Sequence, residues 1–368
     1  MPRLPVRVQA LAALMSCFAA VLVVAPLAKG APLPAGTVTI PASIDPTGAH
    51  DVAKELNAFF AAVPNGSVVR MPAGATYRIE SPVTLLDKRD LVIDGNGART
   101  ITTSRGDRTR QHWRIQRGSN ILIKNLTVKG ANPHAGMSDA AYVASLEAQH
   151  GFNIAGTHGF TLDHVTVTDV YGDFVYVGMD SRAGWTEDVQ ILHSVFVRSG
   201  RQGISLTGAR RVLIANNSIS ETRRSTFDLE PNGRQWGVEH VVIRGNTVGR
   251  GRLNFISSIG VGPVNDIAVV GNTLVGRAMN SWIGSDKERR HDWTIADNVA
   301  DQTYATPSGG ILTFVDIDGV RVAGNTQPAQ KMRHMYGVRL KGVCNAVVAG
   351  NTFADSAGES VVASPCPR

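Results

Sequence analysis

Arg201–Asn246, RQGISLTGARRVLIANNSISETRRSTFDLEPNGRQWGVEHVVIRGN, holds two turns of a sequence repeat. In each turn a short alternating segment (ISLT, FDLE) is followed by a second one (VLIANN, VVIRGN). Apolar and polar residues alternating over three or four positions mark a β-strand with one face buried. Working outward, the second segment recurs as LVIDGN from Leu91, ILIKNL from Ile121, FTLDHV from Phe160 and VQILHS from Val189. It continues as IAVVGN from Ile267, WTIADN from Trp293, VRVAGN from Val320 and AVVAGN from Ala346. Successive starts from Leu91 lie 30, 39, 29, 23, 29, 26, 26, 27 and 26 residues apart. The first segment recurs as WRIQ, FNIA, VYVG and, near the end, VRLK.

Two short strands, tight turns and a repeat of this length describe the coils of a solenoid. Leucine-rich repeats lack their consensus here, and propeller blades need roughly 40–45 residues. The expected class is all-β: a single-stranded right-handed parallel β-helix over residues 51–368. Val52, Leu56, Phe59, Phe60 and Val63 fall at helical spacing and predict one amphipathic helix over 51–63, an N-terminal cap. Residues 31–50, rich in Pro, Gly and Ala, read as a linker. Asn96, Asn217, Asn246, Asn272, Asn298, Asn325 and Asn351 close most segments. Stacked coils would set these amides one above another at strand spacing, roughly 4.8 Å. That is an asparagine ladder, and it needs no ligand.

The bulk properties agree. Of 368 residues, 43% are hydrophobic and 38 are glycine, enough for a core and many tight turns. The net charge of +7 favours an acidic partner, but the arginines are scattered without a long basic run, which argues against nucleic acid. Arg3 and Arg7, the apolar run Ala10–Ala28 and the small residues around Ala28-Lys29-Gly30 predict a signal peptide over 1–30. An exported protein, secreted and free of the membrane after cleavage, follows. Cys17 leaves with the signal. The pair Cys344 and Cys366 then predicts a disulfide tying down the last coil, with two unrelated thiols as the alternative.

The helix, the entry MPAGATYRI and the IDGNG that follows resemble the start of the pectate-lyase-like superfamily, and the later coils resemble its bacterial polysaccharide-active β-helix repeat group. The resemblance implies a polysaccharide partner. It does not imply a mechanism, because its motifs are structural. The Asn-Thr-Asp, Asp-Asp and Gly-His-Gly signatures of polygalacturonases are missing; YGD at 171–173, GRQ at 200–202 and RST at 224–226 stand instead.

With Phe227 and Leu229 inward, Asp228 and Glu230 point outward together. The same column on neighbouring coils should hold Arg114, Asn153, Tyr176, Ser205 and Ser257. Just before these strands come His150, Asp173, Arg201, Arg224 and Asn254. This strip suits sugar hydroxyls and acidic groups. The leading expectation is a glycoside hydrolase with Asp228 and Glu230 as acid and base, Asp173 assisting and Arg201 stabilising charge. Asn153, Tyr176, Ser205, His150, Arg224 and Asn254 would bind substrate. A polysaccharide lyase or uronate epimerase is the alternative, in which Asp173 with Asp228 or Glu230 would hold Ca²⁺. The third reading is a non-catalytic binding rod, in which Arg201, Arg223 and Arg224 merely neutralise the acids. The insertion at 130–150 is expected to wall the groove.

Overall fold

The computed structural model describes residues 36–108, 110–285, 287–301, 310–327, 336–353 and 361–363. The expected signal peptide and Cys366 lie outside the described residues. Cys344 itself is disulfide-bonded.

The chain winds through three parallel sheets of 12, 12 and 11 strands, each strand pairing with its equivalents one coil before and one coil after. This is the expected parallel β-helix, with three strands per coil rather than two. The recurring segments from Leu91 to Ala346 form the first sheet; Val212, for example, sits between Val189 and Val241. WRIQ, FNIA, VYVG, ISL and FDL form the third. The second sheet escaped the sequence reading because several of its strands, such as Thr247–Val248 and Thr273–Leu274, are two residues long. Two residues cannot display an alternation.

Inward residues of successive coils stack into one core: Leu91 and Ile93, Ile121 and Ile123, Phe160 and Leu162 are all at most 1% exposed. Each such side chain stabilises the fold by about 1.5–3 kcal/mol. The helix, Ala53–Ala62, occupies the third-sheet position of the first coil and buries Leu56 and Phe60 completely. Phe60 meets Trp113 edge-on at 5.6 Å. Asn57 accepts a hydrogen bond from the Thr84 amide (2.7 Å) and donates to the Pro82 carbonyl (2.8 Å). The helix thereby covers the open edge of the third sheet, which would otherwise invite another strand.

Residues 37–50 are not a linker. Thr37–Thr39 pairs with Val68–Arg70, and the strand Thr47–Asp51 pairs with Thr76–Arg78, so this segment is the first coil. Its strands are largely exposed, so they carry no apolar alternation to mark them.

The asparagine ladder runs through six of its seven expected members. Nδ2 of Asn217, Asn246, Asn272, Asn298 and Asn325 each donates to Oδ1 of the next, every time at 2.9 Å. Asn96 stands apart. Its turn is two residues longer, and the ladder position in that coil falls to Ala98, followed by Leu126, Val165 and Ser194. The Ser194 amide donates to Asn217 Oδ1 at 2.9 Å, so the amide ladder begins where the apolar plug ends.

Candidate active site

The third sheet presents its outward residues as columns. Asn153 pairs in register with Arg114 on one side and Tyr176 on the other; Tyr176 pairs with Ser205, Ser205 with Asp228, and Asp228 with Ser257. The predicted column is the observed one. Phe227 and Leu229 are fully buried beneath it.

At its centre lies a buried charge network. Asp173, with no exposed surface, accepts from Arg201 Nη1 (2.8 Å), Ser205 Oγ (2.8 Å) and the Gln202 amide (2.9 Å). Against the pull of burial, the charge of Asp173 above all, with Glu147, holds the Arg201 guanidinium protonated beyond its ordinary range. His150 Nδ1 accepts from the Asp173 amide at 3.0 Å, which fixes the ring as the Nε2-protonated neutral tautomer. Burial, with Arg201 nearby, lowers its pKa to about 4 although Asp173 pulls the other way. The imidazole stacks on Tyr176 at 4.7 Å and 15°. The Tyr176 hydroxyl accepts from Thr207 Oγ1 at 3.0 Å, and burial raises its pKa.

Asp228 is different. It is 2% exposed, and its Oδ2 accepts from Gln202 Nε2 at 3.0 Å, but its Oδ1 has no partner while both carboxyls are ionised. A protonated Asp228 can donate to Glu230. Burial first, then the charges of Glu230 and Asp173, push the Asp228 carboxyl up to about 8 despite Arg201. Glu230 is only half-buried. Behind the turn Ser258–Gly262 the fully buried Arg290 donates to the Gly260 carbonyl at 2.6 Å and feels the charge of Glu230. Glu230 therefore has a buried cation in its field and is half-buried, whereas Asp228 is almost fully buried. Asp228 is thus the carboxyl whose proton the surroundings hold.

The neutralising arginines of the rod reading are engaged elsewhere. Arg201 takes Asp173 and approaches Glu147 at 3.5 Å, Arg223 pairs with Asp139 at 3.0 Å, and the Arg224 guanidinium lies 5.1 Å over the Tyr142 ring. Among the described residues neither Asp228 nor Glu230 forms an ion pair. Asp139, Tyr142 and Glu147 all belong to the insertion at 130–150, which Asp139 also ties to Arg252 at 2.8 Å. The insertion is thus folded against the coils beside the column. Asn153 is half-buried on the column, and Asn254 lies at the turn before Ile256, its carbonyl accepting from Thr226; neither side chain joins the network.

Two members of the network were not legible in the sequence. Gln202 bridges Asp228 and the Ser225 amide (2.7 Å), and Glu147 binds the Tyr142 hydroxyl (2.7 Å). Both sit in irregular backbone, where no alternation assigns a direction. The expected Ca²⁺ cradle does not fit. Both Asp173 oxygens are already taken by donors, and a protonated Asp228 is a poor ligand for a hard cation.

A protein-family model described as right handed beta helix region matches residues 91–287. None of the curated proteins matches this chain in sequence. Among solved structures, the endo-xylogalacturonan hydrolase from Aspergillus tubingensis superposes with a TM-score of 0.58 at 13% identity, covering 90% of this chain and 96% of that one. The alginate lyase from Paenibacillus sp. str. FPU-7 gives 0.56 at 13% identity over 80% and 97%. PfbA, a surface adhesin of Streptococcus pneumoniae, gives 0.61 at 13% identity over 89% and 91%. At these identities the likeness is one of fold.

Proposed function

The chain belongs to the right handed beta helix region family, and we propose that on this scaffold it is a secreted glycoside hydrolase that cleaves a polysaccharide laid across the coils of the third sheet. The observation that carries this reading is the Asp228–Glu230 pair. Asp228, 2% exposed with one carboxylate oxygen unpartnered, and the half-buried Glu230 lie two residues apart on the outward side of one strand, and among the described residues neither forms an ion pair.

The roles follow from the electrostatics. Asp228, kept protonated by burial, is the general acid that protonates the glycosidic oxygen. Glu230, the half-buried partner, is the nucleophile or base at the anomeric carbon. The pair can serve either retention, with Glu230 as nucleophile, or inversion, with Glu230 as the base that activates water. Asp173 is a positioning residue: it fixes Arg201, Ser205 and the Gln202 main chain, and Gln202 in turn holds Asp228. Arg201 supplies positive charge beside the reacting centre.

The lyase reading is weaker because the groups that could take a substrate proton, Arg201, His150 and Tyr176, are not free to do so. The Arg201 proton is held more tightly than usual, His150 Nδ1 is already an acceptor, and the Tyr176 proton is harder to remove than in water.

The test is a screen of the mature protein, with Asp228→Asn and Glu230→Gln, on neutral and acidic polysaccharides, following reducing ends together with the ultraviolet absorbance of unsaturated uronates. New reducing ends without absorbance, lost in both variants, support the hydrolase. Absorbance would move the protein to the lyases. Binding without product, unchanged in the variants, would leave a binding rod.

A further inference from the structure

The column that carries Asp228 does not stop there. Ser257 pairs with Trp282, Trp282 with Thr313, and Thr313 with Arg339, so the indole stands two strand spacings from Asp228, roughly 10 Å away. Ile283, Phe314 and Leu340 point inward, which turns Trp282, Thr313, Arg339 and Lys341 out. A cavity of about 330 Å³ opens here, lined by Ile259, Trp282, Thr313, Arg339 and Lys341 among others. That is within the range of pockets that hold small ligands, roughly 300–1,000 Å³.

Three features make it a site rather than a dent. Trp282 is 39% exposed and Ile259 47% exposed, so both offer apolar surface to the cavity. Gly284, pairing with Val315 beside the indole, has φ of +99°, and a Cβ there would lie 2.0 Å from the Val315 carbonyl oxygen, so the floor is kept bare. Arg339 and Lys341 then bring two positive charges to the far wall, on one strand and one face. Among the described residues, Glu288 of the adjoining turn is directed towards Arg234 at 3.9 Å.

We propose that Trp282, Arg339 and Lys341 form a subsite for an anionic sugar, the indole stacking on the ring and the two cations holding its acid group. An aromatic face binds the apolar side of a pyranose. A guanidinium holds a carboxylate or sulfate ester through two parallel hydrogen bonds, and the lysine adds a point charge. The assignment rests on the reading that the chain lies across the third sheet, and it deepens that reading. The substrate is an acidic polysaccharide, and its charged unit is anchored two or more coils from the bond that breaks.

The experiment is calorimetric binding in the Asp228→Asn background, where no product forms. The probes are oligogalacturonates, the same oligomers after carboxyl reduction, and sulfated galactan oligosaccharides. Arg339→Gln and Lys341→Gln should weaken the preferred anionic probe about 10-fold or more each and leave the carboxyl-reduced oligomer unchanged. Trp282→Ala should weaken charged and neutral forms alike, with Trp282→Phe restoring part of the loss. Preference between uronate and sulfate identifies the acid group. Equal losses on charged and reduced oligomers in the arginine and lysine variants, or no binding of either anion, would overturn the subsite. The two proposals fail separately. If Asp228→Asn abolishes cleavage while the three subsite variants bind and turn over as wild type does, only the subsite falls. If they behave as stated but Asp228→Asn still forms product, the hydrolase falls.

Discussion

The molecule stacks polar residues in two places, and it treats them in opposite ways. At the turn between the first and second sheets, Asn217 to Asn351 repeat the same amide coil after coil, and each finds its partner in the next. On the outer face of the third sheet the residue changes at every coil, from Asn153 to Tyr176, Ser205 and Asp228, and the last leaves an oxygen unpartnered. Repetition with full satisfaction is architecture. Variation with a group left in want of a proton is where chemistry can sit, because a buried carboxyl without its partner is costly to maintain for structure alone.

The largest test of this contrast lies between the two extremes, at Asp173. It is a buried ion, but a satisfied one. Arg201→Met should cost about 3–5 kcal/mol in denaturant unfolding, because it strands a buried charge. Asp173→Asn added to Arg201→Met should recover much of that. A loss under about 1 kcal/mol would mean that the network is not closed as described.

In the ladder, Asn272→Ala removes one acceptor from Asn246 and one donor from Asn298, and should cost about 2–3 kcal/mol. At the exposed end, Asn351→Ala should cost about 1 kcal/mol, since water can replace the missing amide. Equal losses at the buried and the exposed position would break the claim that burial gives the ladder its weight.

A further effect is a slope. His112 and His150 are buried neutral, with burial lowering their pKa values to about 3 and about 4. Unfolding lets both take up protons near pH 6.5. Stability is therefore complete above that value and lost as pH falls toward the folded values. His112→Phe should flatten this acid limb by one proton, about 1.4 kcal/mol per pH unit at most, read from unfolding free energies between pH 6 and 4.

The same contrast explains what the sequence discloses. A ladder repeats, so its members could be read by eye, and the only misassigned one, Asn96, sits where the turn is two residues longer. The outward column was legible because Phe227 and Leu229 fix the phase of their strand. The partners that complete the site were not: Gln202 and Glu147 lie in turns, where direction depends on backbone geometry that no periodicity records. The first coil was hidden for a related reason, because its edge strands face solvent and lack an apolar rhythm. The pair Asp163–His193 at 2.9 Å, flanked by His164, arises in the same way, from turn residues that only stacking brings together.

The central claim is that Asp228 keeps its proton against the needs of the fold so that the site can use it. The direct measurement is thermal stability of wild type and Asp228→Asn across pH 5 to 9, with turnover recorded on the same samples. The folded-state pKa of Asp228 is raised, so its stabilising share is whole below the ordinary carboxylate range and lost as pH rises through about 8. The account predicts that wild type falls behind the variant as pH increases, while the variant is inactive throughout. Parallel stability curves, or a variant that still turns over, would contradict it.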